Sequence, residues 1–348
     1  MIGHPFDGLP SRTEVVVIGG GIVGAIAALE FAERGIPVVL FEKGRFGGEQ
    51  SGLNLGWCRQ LGRDIRELPM SIKALSLWAG MNARVQGETG FRRAGIVEVA
   101  SSPNQLDQFH ARIKSLGDMA DPMGLRCLDG AALSTLLPGA STVQAGGLYC
   151  QTDGRAEPTL ATGAILQGAK RAGAILIDQC AVRGFETFNG KIGGVTTEQG
   201  LIGCSSVVLA GGLWSRHLLR SIGIPFPQLI VSETLLRTTP VETGHVPAMT
   251  TGRVAHRPRL DGGYVIAHET NTVADIIPAS FRYFPEFFPT LLKERSRLRF
   301  RLGKAFWREA MLPRLWAGSE RSPFERFRAL KAEVSSKHVV SVLISTEN

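Results

Sequence analysis

The stretch from Val15 to Gly44 restricts the fold of this chain more than any other, because it reads as a complete strand–helix–strand unit. Val15 to Ile18 is a short β-branched apolar run, suited to a strand buried on both faces of a parallel sheet. It runs into Gly19, Gly21 and Gly24, a GxGxxG series. In a strand-to-helix turn the first glycine permits the tight bend, the second lets the backbone approach a pyrophosphate, and the third lets the helix pack close to the strand. The helix N-terminus then offers N–H groups to the phosphates. Ile22, Ile26, Leu29 and Ala32 keep helical spacing, Gly35 stops the helix, and Val38 to Phe41 form a second strand. Glu42 closes that strand 21 residues after Gly21, where a carboxylate can accept hydrogen bonds from both hydroxyls of an adenosine ribose. The motif predicts a dinucleotide site and leaves FAD and NAD both open. It argues against NADP, whose 2′-phosphate would face Glu42 with only Lys43 and Arg45 as local relief.

A length of 348 residues with 44% hydrophobic content predicts two domains with a sizeable core. The longest uncharged run near the N-terminus, Val15 to Leu29, is 15 residues with four glycines inside it, too short and broken for a bilayer span. No secretory leader is expected. Cys58, Cys127, Cys150, Cys180 and Cys204 are scattered without a CxxC pair, which predicts reduced thiols, a cytoplasmic protein and no metal centre. Much of the net charge of +8 lies in Lys293, Arg295, Arg297, Arg299, Arg301, Lys304 and Arg308, interrupted only by Glu294. Leu291, Leu298, Leu302 and Phe306 fit one face of a helix through that run. The simplest reading is a solvated helix face; the alternative is peripheral docking at the inner membrane surface or on an acidic partner. No nucleic-acid motif accompanies it, so no nucleic-acid partner is expected.

The segment Gly44 to Arg59 has too many glycines for a regular element and reads as a ligand-lining loop, with Ser51, Asn54 and the backbone near Gly56 aimed at the middle and reactive end of a dinucleotide; the alternative is a plain surface loop. A packing helix follows through Ile65, Leu68, Ile72, Leu75 and Trp78, its first turn limited by Pro69. Strand character from Phe91 to Ala100 and a helix after Pro103 mark a different domain. Glu157-Pro158 opens another helix, with proline at the first helical position, ending at Gly173. Strands follow at Ile175 to Ile177, Val182 to Phe188 and from Lys191, with turns at Asn189-Gly190 and Gln199-Gly200. Ser206 to Ala210 is a return strand running into Gly211-Gly212, completing the second half of a nucleotide-binding sheet. Beyond Pro225 the chain is β-rich, with Ile230 to Thr238 and a hairpin of Val254 to Leu260 and Tyr264 to His268 about Asp261-Gly262-Gly263.

Four features together resemble the FAD-dependent amine oxidoreductases of the D-amino-acid oxidase type, which include glycine oxidase, sarcosine oxidase and bacterial D-amino-acid dehydrogenases. They are the Gly19-x-Gly21 turn with Glu42, the loop Ser51 to Gly56, Asp153 to Pro158 opening a helix, and Val207 to Ser215. The resemblance covers the first two-thirds of the chain. It implies an α/β fold: a Rossmann-like FAD-binding domain (residues 1–89 and 153–220, a parallel sheet with an antiparallel crossover) plus an interleaved α+β substrate domain (90–152 and 221–322) with a mostly antiparallel sheet. It also implies that Gly19, Gly21 and Gly24 hold the pyrophosphate of FAD and that Glu42 and Lys43 lie at the adenosine. Val182 meets the adenine through its backbone, Ser51 and Asn54 lie near the pyrophosphate and flavin, and Ala210, Gly211 and Gly212 pass close to the cofactor.

The implied activity is oxidation of the C–N bond of a D-amino acid or secondary amine acid by hydride transfer to flavin, the imine then being hydrolysed, with oxygen or a quinone as electron acceptor. Such chemistry needs orientation and electrostatics more than a conspicuous catalytic set. An amino-acid carboxylate calls for an arginine, and Arg253, Arg257 and Arg259 lie on or beside the hairpin; Tyr264 is a further candidate contact, and His256 could face a pocket. Two alternatives stand beside this: a catalytically silent family member with a weak FAD site, and an NAD-dependent reductase. The C-terminus departs from the family pattern. No glycine follows Gly318, Pro323 to Ser335 reads as a charged helix, and His338 to Thr346 reads as an isolated strand. The expectation is an atypical tail at 323–348 in place of the segment that closes over the flavin.

Overall fold

The computed structural model describes residues 9–138, 145–241, 244, 246–270 and 272–312 in full and 338–344 as a strand. The lead-in at 1–8 and the charged helix expected over Pro323 to Ser335 lie outside the described residues. The chain divides into two units: Met1–Leu53, Thr162–Glu233 and Asn271–Asn348 form the first, and Asn54–Ala161 with Thr234–Thr270 form the second.

In the first unit a parallel sheet runs in the order Ser206–Leu209, Val15–Ile18, Val38–Phe41, Ile175–Ile177. The two central strands are buried at every residue, which is why they are apolar on both faces. Helix Ile22–Glu33 joins them, burying Gly24, Ala25, Ala28, Leu29 and Ala32. The antiparallel excursion is Val182–Phe188, Lys191–Thr197 and Gly200–Gly203. Asn189 and Gly190 both have positive φ (50° and 74°), as a two-residue hairpin turn of the primed type requires. Val16, Ile18 and Phe41 share one core with Val182, Val195 and Ile202, so the two sheets of this unit pack together.

In the second unit the strands run Tyr264–His268, Val254–Pro258, Ala248–Thr250, Ile96–Ala100, Gly146–Cys150, Leu125–Asp129. All pair antiparallel except Ala248–Thr250 beside Ile96–Ala100. The expected hairpin forms in register, with Pro258 opposite Tyr264. Helix Pro103–Leu116 starts at the Ser102 cap, whose hydroxyl accepts from the Gln105 N–H.

The unit boundaries differ from expectation, falling after Leu53, Ala161, Glu233 and Thr270. Helix Leu68–Arg84 belongs with the second unit, because Leu61 and Leu68 are buried among Ile96, Phe109 and Leu148. Residues beyond 271 belong with the first, because Ile277, Tyr283 and Phe287 pack with Leu229 and Ala305. The basic run is also not one helix. Helix Phe284–Glu294 ends, strand Leu298–Leu302 pairs in parallel with Thr272–Ile276, and helix Lys304–Ala310 follows. The alternation Leu298-Arg299-Phe300-Arg301-Leu302 has the period of a strand, and Arg301 sits opposite Asp275, its guanidinium donating at 2.6 and 2.8 Å. The strand at His338–Ile344 is not isolated: it pairs with Gln228–Arg237. Among the described residues no helix is long and apolar enough to cross a membrane.

Candidate functional site

The first strand delivers the chain to Gly19 at φ +110°, where a Cβ would lie 2.4 Å from the carbonyl oxygen of Ala210. A Cβ on Gly24 would lie 1.9 Å from the carbonyl oxygen of Gly19. Both glycines are therefore demanded by the approach of backbone to backbone. Gly21 caps helix Ile22–Glu33 in extended conformation with no side chain to offer it, and no acidic residue occupies the first turn. Ser51 Oγ accepts from the Ile22 N–H at 2.9 Å, and Val23 in the first turn is 67% exposed. An open helix N-terminus with its positive dipole end and no internal anion is what a pyrophosphate fits.

Glu42 is almost buried. Its Oε2 accepts from the Gly20 N–H at 2.8 Å and its Oε1 from the Gly44 N–H at 2.7 Å. Burial pushes its pKa up, while the two backbone bonds and the Lys43 charge pull the other way. A carboxylate has about four lone-pair sites, so each oxygen keeps capacity for a ribose hydroxyl. The Ala210 N–H donates to the Ile18 carbonyl at 2.8 Å, which brings Ala210, Gly211 and Gly212 against the glycine turn. Gly212 has φ +53°, and its carbonyl accepts from Gln228 Nε2 at 3.2 Å. Val182 begins its strand opposite Thr197 with its side chain in the core, leaving only its main chain for a ligand. The residues of this unit thus fit the adenosine and pyrophosphate of FAD.

Lys43 is differently placed. Its ammonium lies 2.8 Å from Glu49 Oε1 and 4.8 Å over the Trp214 ring, while Trp214 Nε1 donates to both Glu49 oxygens at 3.1 Å. This trio ties the loop after Gly44 to the turn after Gly212. It is a cation–π and ion-pair cluster that the sequence did not announce, since Glu49 and Trp214 are 165 positions apart.

In the second unit, Asn54 Oδ1 accepts from the Gly56 N–H at 2.7 Å, an internal turn bond. Asp153 is wholly buried and accepts from the N–H groups of Gln60 and Leu61 at 2.7 and 3.1 Å, fixing the loop that leads to the packing helix. Arg257 is 1% exposed and forks Glu157 at 2.6 and 3.1 Å, and Glu157 also accepts from the Leu260 N–H. Both ends of the Arg257 fork are engaged, so this arginine acts as an internal brace rather than the open carboxylate receptor that the sequence suggested. Arg155 stands 3.8 Å from the same glutamate, and burial and the Arg257 charge push its pKa down. Arg253 is exposed at the start of the hairpin, Arg259 pairs with Asp261, and Tyr264 is buried edge-on to His256 at 5.5 Å between ring centres. Burial and the Asp153 charge push the Cys58 and Cys150 thiols up to about 12, so neither is a nucleophile at neutral pH. Among the described residues no group of three or more His, Cys, Asp or Glu is arranged to hold a metal ion.

Comparison with known proteins places this geometry among flavoenzymes. The family described as DAO, FAD dependent oxidoreductase, matches residues 14–323. The 4-methylaminobutanoate oxidase (formaldehyde-forming) of Paenarthrobacter nicotinovorans is 28% identical over 268 residues, 76% of this chain and 31% of that protein. The mitochondrial dimethylglycine dehydrogenase of Homo sapiens is 26% identical over 233 residues, 66% of this chain and 27% of its own length. The chain therefore spans less than a third of these relatives. Among solved structures, the L-amino acid deaminase of Proteus myxofaciens in complex with anthranilate superposes with a TM-score of 0.90 at 31% identity, covering 98% of this chain and 82% of that one. The L-amino acid deaminase of Proteus vulgaris gives 0.90 at 29% identity, covering 100% and 87%.

Proposed function

This chain belongs to the DAO family of FAD-dependent oxidoreductases, and from that premise we propose that it oxidises the Cα–N bond of an L-α-amino acid to a 2-imino acid, which water hydrolyses to a 2-keto acid and ammonium. The observation that carries the reading is Glu42, held by two backbone N–H groups beside an open helix N-terminus within a matched span of 310 residues. FAD, when bound, supplies the acceptor for the hydride leaving Cα. The Gly19 to Gly24 turn and Glu42 bind and orient it, and the Lys43–Glu49–Trp214 trio holds the adjoining loop in place. With Arg257 committed to Glu157, the candidate contacts for the substrate in the second unit are Arg253 and Tyr264.

The L configuration rests on the likeness to two L-amino acid deaminases; the resemblance in the sequence alone pointed to D-amino acids or secondary amine acids. A second reading, an N-methylated amine acid, is supported by the oxidase and dehydrogenase relatives. The electron acceptor is oxygen or a quinone. The exposed cations between Lys293 and Arg308 support peripheral docking on an anionic membrane surface.

The test is an absorbance spectrum of the purified protein before and after anaerobic addition of separate pools of L-, D- and N-methyl amino acids. Flavin bands bleached by the L pool are the expected result. Bleaching by another pool alone overturns the assigned configuration or amine class. Flavin that no pool reduces overturns the catalytic reading, and protein that takes up no FAD overturns the cofactor assignment.

A further inference from the structure

In the first unit, Val231 lies opposite Ala274, and Ala274 opposite Phe300, across three neighbouring strands. Because side chains alternate along each strand, these three share one face of the sheet. Helices Pro278–Arg282 and Phe284–Glu294 cover that face with Phe281, Phe284 and Leu291, and between helices and sheet lies a cleft of about 220 Å³. Its lining is almost wholly hydrocarbon. Of the polar side chains at its edge, Asp275 bonds Arg301 and Ser280 accepts from the Ile277 N–H. The Thr290 hydroxyl is the remaining polar side-chain group of the lining, and the volume is below the roughly 300–1,000 Å³ of sites that enclose ring-bearing small molecules.

The cleft opens in an unusual stretch of surface. Phe281, Phe284, Phe288, Leu292, Phe300 and Trp307 are all more than two-fifths exposed, and residues 278–310 carry eight basic against three acidic side chains. The exposed Arg282 adjoins Phe281 in the chain, and the exposed Lys293 lies one helical turn beyond Thr290, which lines the cleft, so the two share a face of the helix. An apolar slot beside exposed aromatics and cations is complementary to a molecule with a hydrocarbon tail and an anionic head.

We propose that this cleft receives one acyl chain of an anionic membrane phospholipid, whose phosphate is met by Arg282 and Lys293. The inference rests on the peripheral docking proposed above and adds to it a defined lipid site. Surface charge alone draws the protein to any anionic bilayer, whereas the cleft makes binding depend on a chain leaving the bilayer plane and on the volume beside Ala274.

The experiment uses the flavin-loaded full chain with vesicles of phosphatidylglycerol and phosphatidylcholine, some bearing brominated acyl chains, and with parinaric acid as a free chain probe. The comparison is with Ala274→Phe, which fills the cleft, and Phe284→Ser, which opens its cover at an exposed position. Unchanged flavin absorbance certifies that each variant is folded. The expected result is sedimentation with phosphatidylglycerol but not phosphatidylcholine vesicles, tryptophan quenching by brominated chains, and parinarate binding, each weakened about tenfold in both variants. Wild-type and variant proteins that sediment with phosphatidylglycerol equally overturn the cleft assignment and leave charge-driven docking standing. Failure of the wild type to sediment overturns docking and the lipid occupant together. Displacement of parinarate by a short-tailed quinone but not by phosphatidylglycerol overturns the lipid in favour of a quinone tail.

Discussion

Glu42 is a carboxylate kept almost out of water, held by two backbone N–H donors with lone pairs left over for a ligand. Burial raises its pKa, and the N–H groups of Gly20 and Gly44 work against the rise by favouring the ionised form. Glu42→Ala removes the acceptor for a ribose diol and for both backbone donors. Hydrogen bonds to charged groups are worth about 1.5–3 kcal/mol, so FAD affinity should fall by ~10- to 100-fold, read by fluorescence titration of the apoprotein. Gly24→Ala should abolish FAD uptake altogether, because its Cβ would meet the Gly19 carbonyl oxygen at 1.9 Å and push helix from strand. His217 supplies a pH prediction. Burial and then the Arg216 charge pull its pKa down to about 4, from 6.5. The unfolded chain takes the proton near pH 6.5 and the folded chain only near 4, so stability is full above 6.5 and declines as pH falls between these values. At ~1.4 kcal/mol per unit the loss is about 3 kcal/mol, and urea titrations of His217→Gln should show that part of the profile flattened. The tight glycine turn and the placement of Glu42 at the end of the second strand were legible in the sequence because their geometry is local to a thirty-residue unit. The engagement of Arg257 with Glu157 was not legible, because the glutamate lies 100 positions away and no local pattern reports such a pairing.

The stretch from Pro278 to Ala310 shows how an element is won by its neighbour rather than by its own period. Leu291, Leu298, Leu302 and Phe306 satisfy a helical stripe, yet residues 298–302 also alternate, and the edge of Thr272–Ile276 offers them a ladder. The ladder prevails, giving helix, strand and helix in place of one helix. By contrast, the hairpins at Asn189-Gly190 and Gly262-Gly263 were readable, since turn chemistry and strand alternation agreed there. The same stretch is fastened at both ends by one residue. Glu309, near its end, forks the buried Arg216 at 2.9 and 2.6 Å and accepts from the N–H of Ala279, near its start, at 3.1 Å. Burial alone would raise the Glu309 pKa, but the bonds and charge of Arg216 outweigh it and leave the group below the ordinary carboxylate range. Glu309→Ala strands a buried guanidinium beside His217. Removing one partner of a buried pair typically costs about 3–5 kcal/mol, a loss readable in the thermal midpoint. A shift no larger than that of a surface substitution would show that the clamp does not hold this element.

At the scale of the whole molecule, the chain passes between the two units four times, so neither unit is a contiguous piece of sequence. The second unit is assembled from residues 54–161 and 234–270, and the later segment supplies what the earlier one lacks. Ala248–Thr250 is the parallel partner of Ile96–Ala100, and Ala248 is buried in the same core as Ile96, Phe109 and Leu148. Arg257 neutralises Glu157, which is itself buried. Residues 54–161 alone would therefore expose the edge of a hydrophobic strand, open a gap in the main core and leave a carboxylate buried with only Arg155 at 3.8 Å. The expected outcome for this fragment is no cooperative unfolding transition by far-ultraviolet circular dichroism and a tendency to aggregate. Coexpression with residues 234–270 should restore the transition, because the missing strand, core residue and counter-charge all lie in that one segment. A cooperative transition in the fragment by itself would show that the returning hairpin is an addition to a self-sufficient unit, and that the Arg257–Glu157 brace is dispensable for folding.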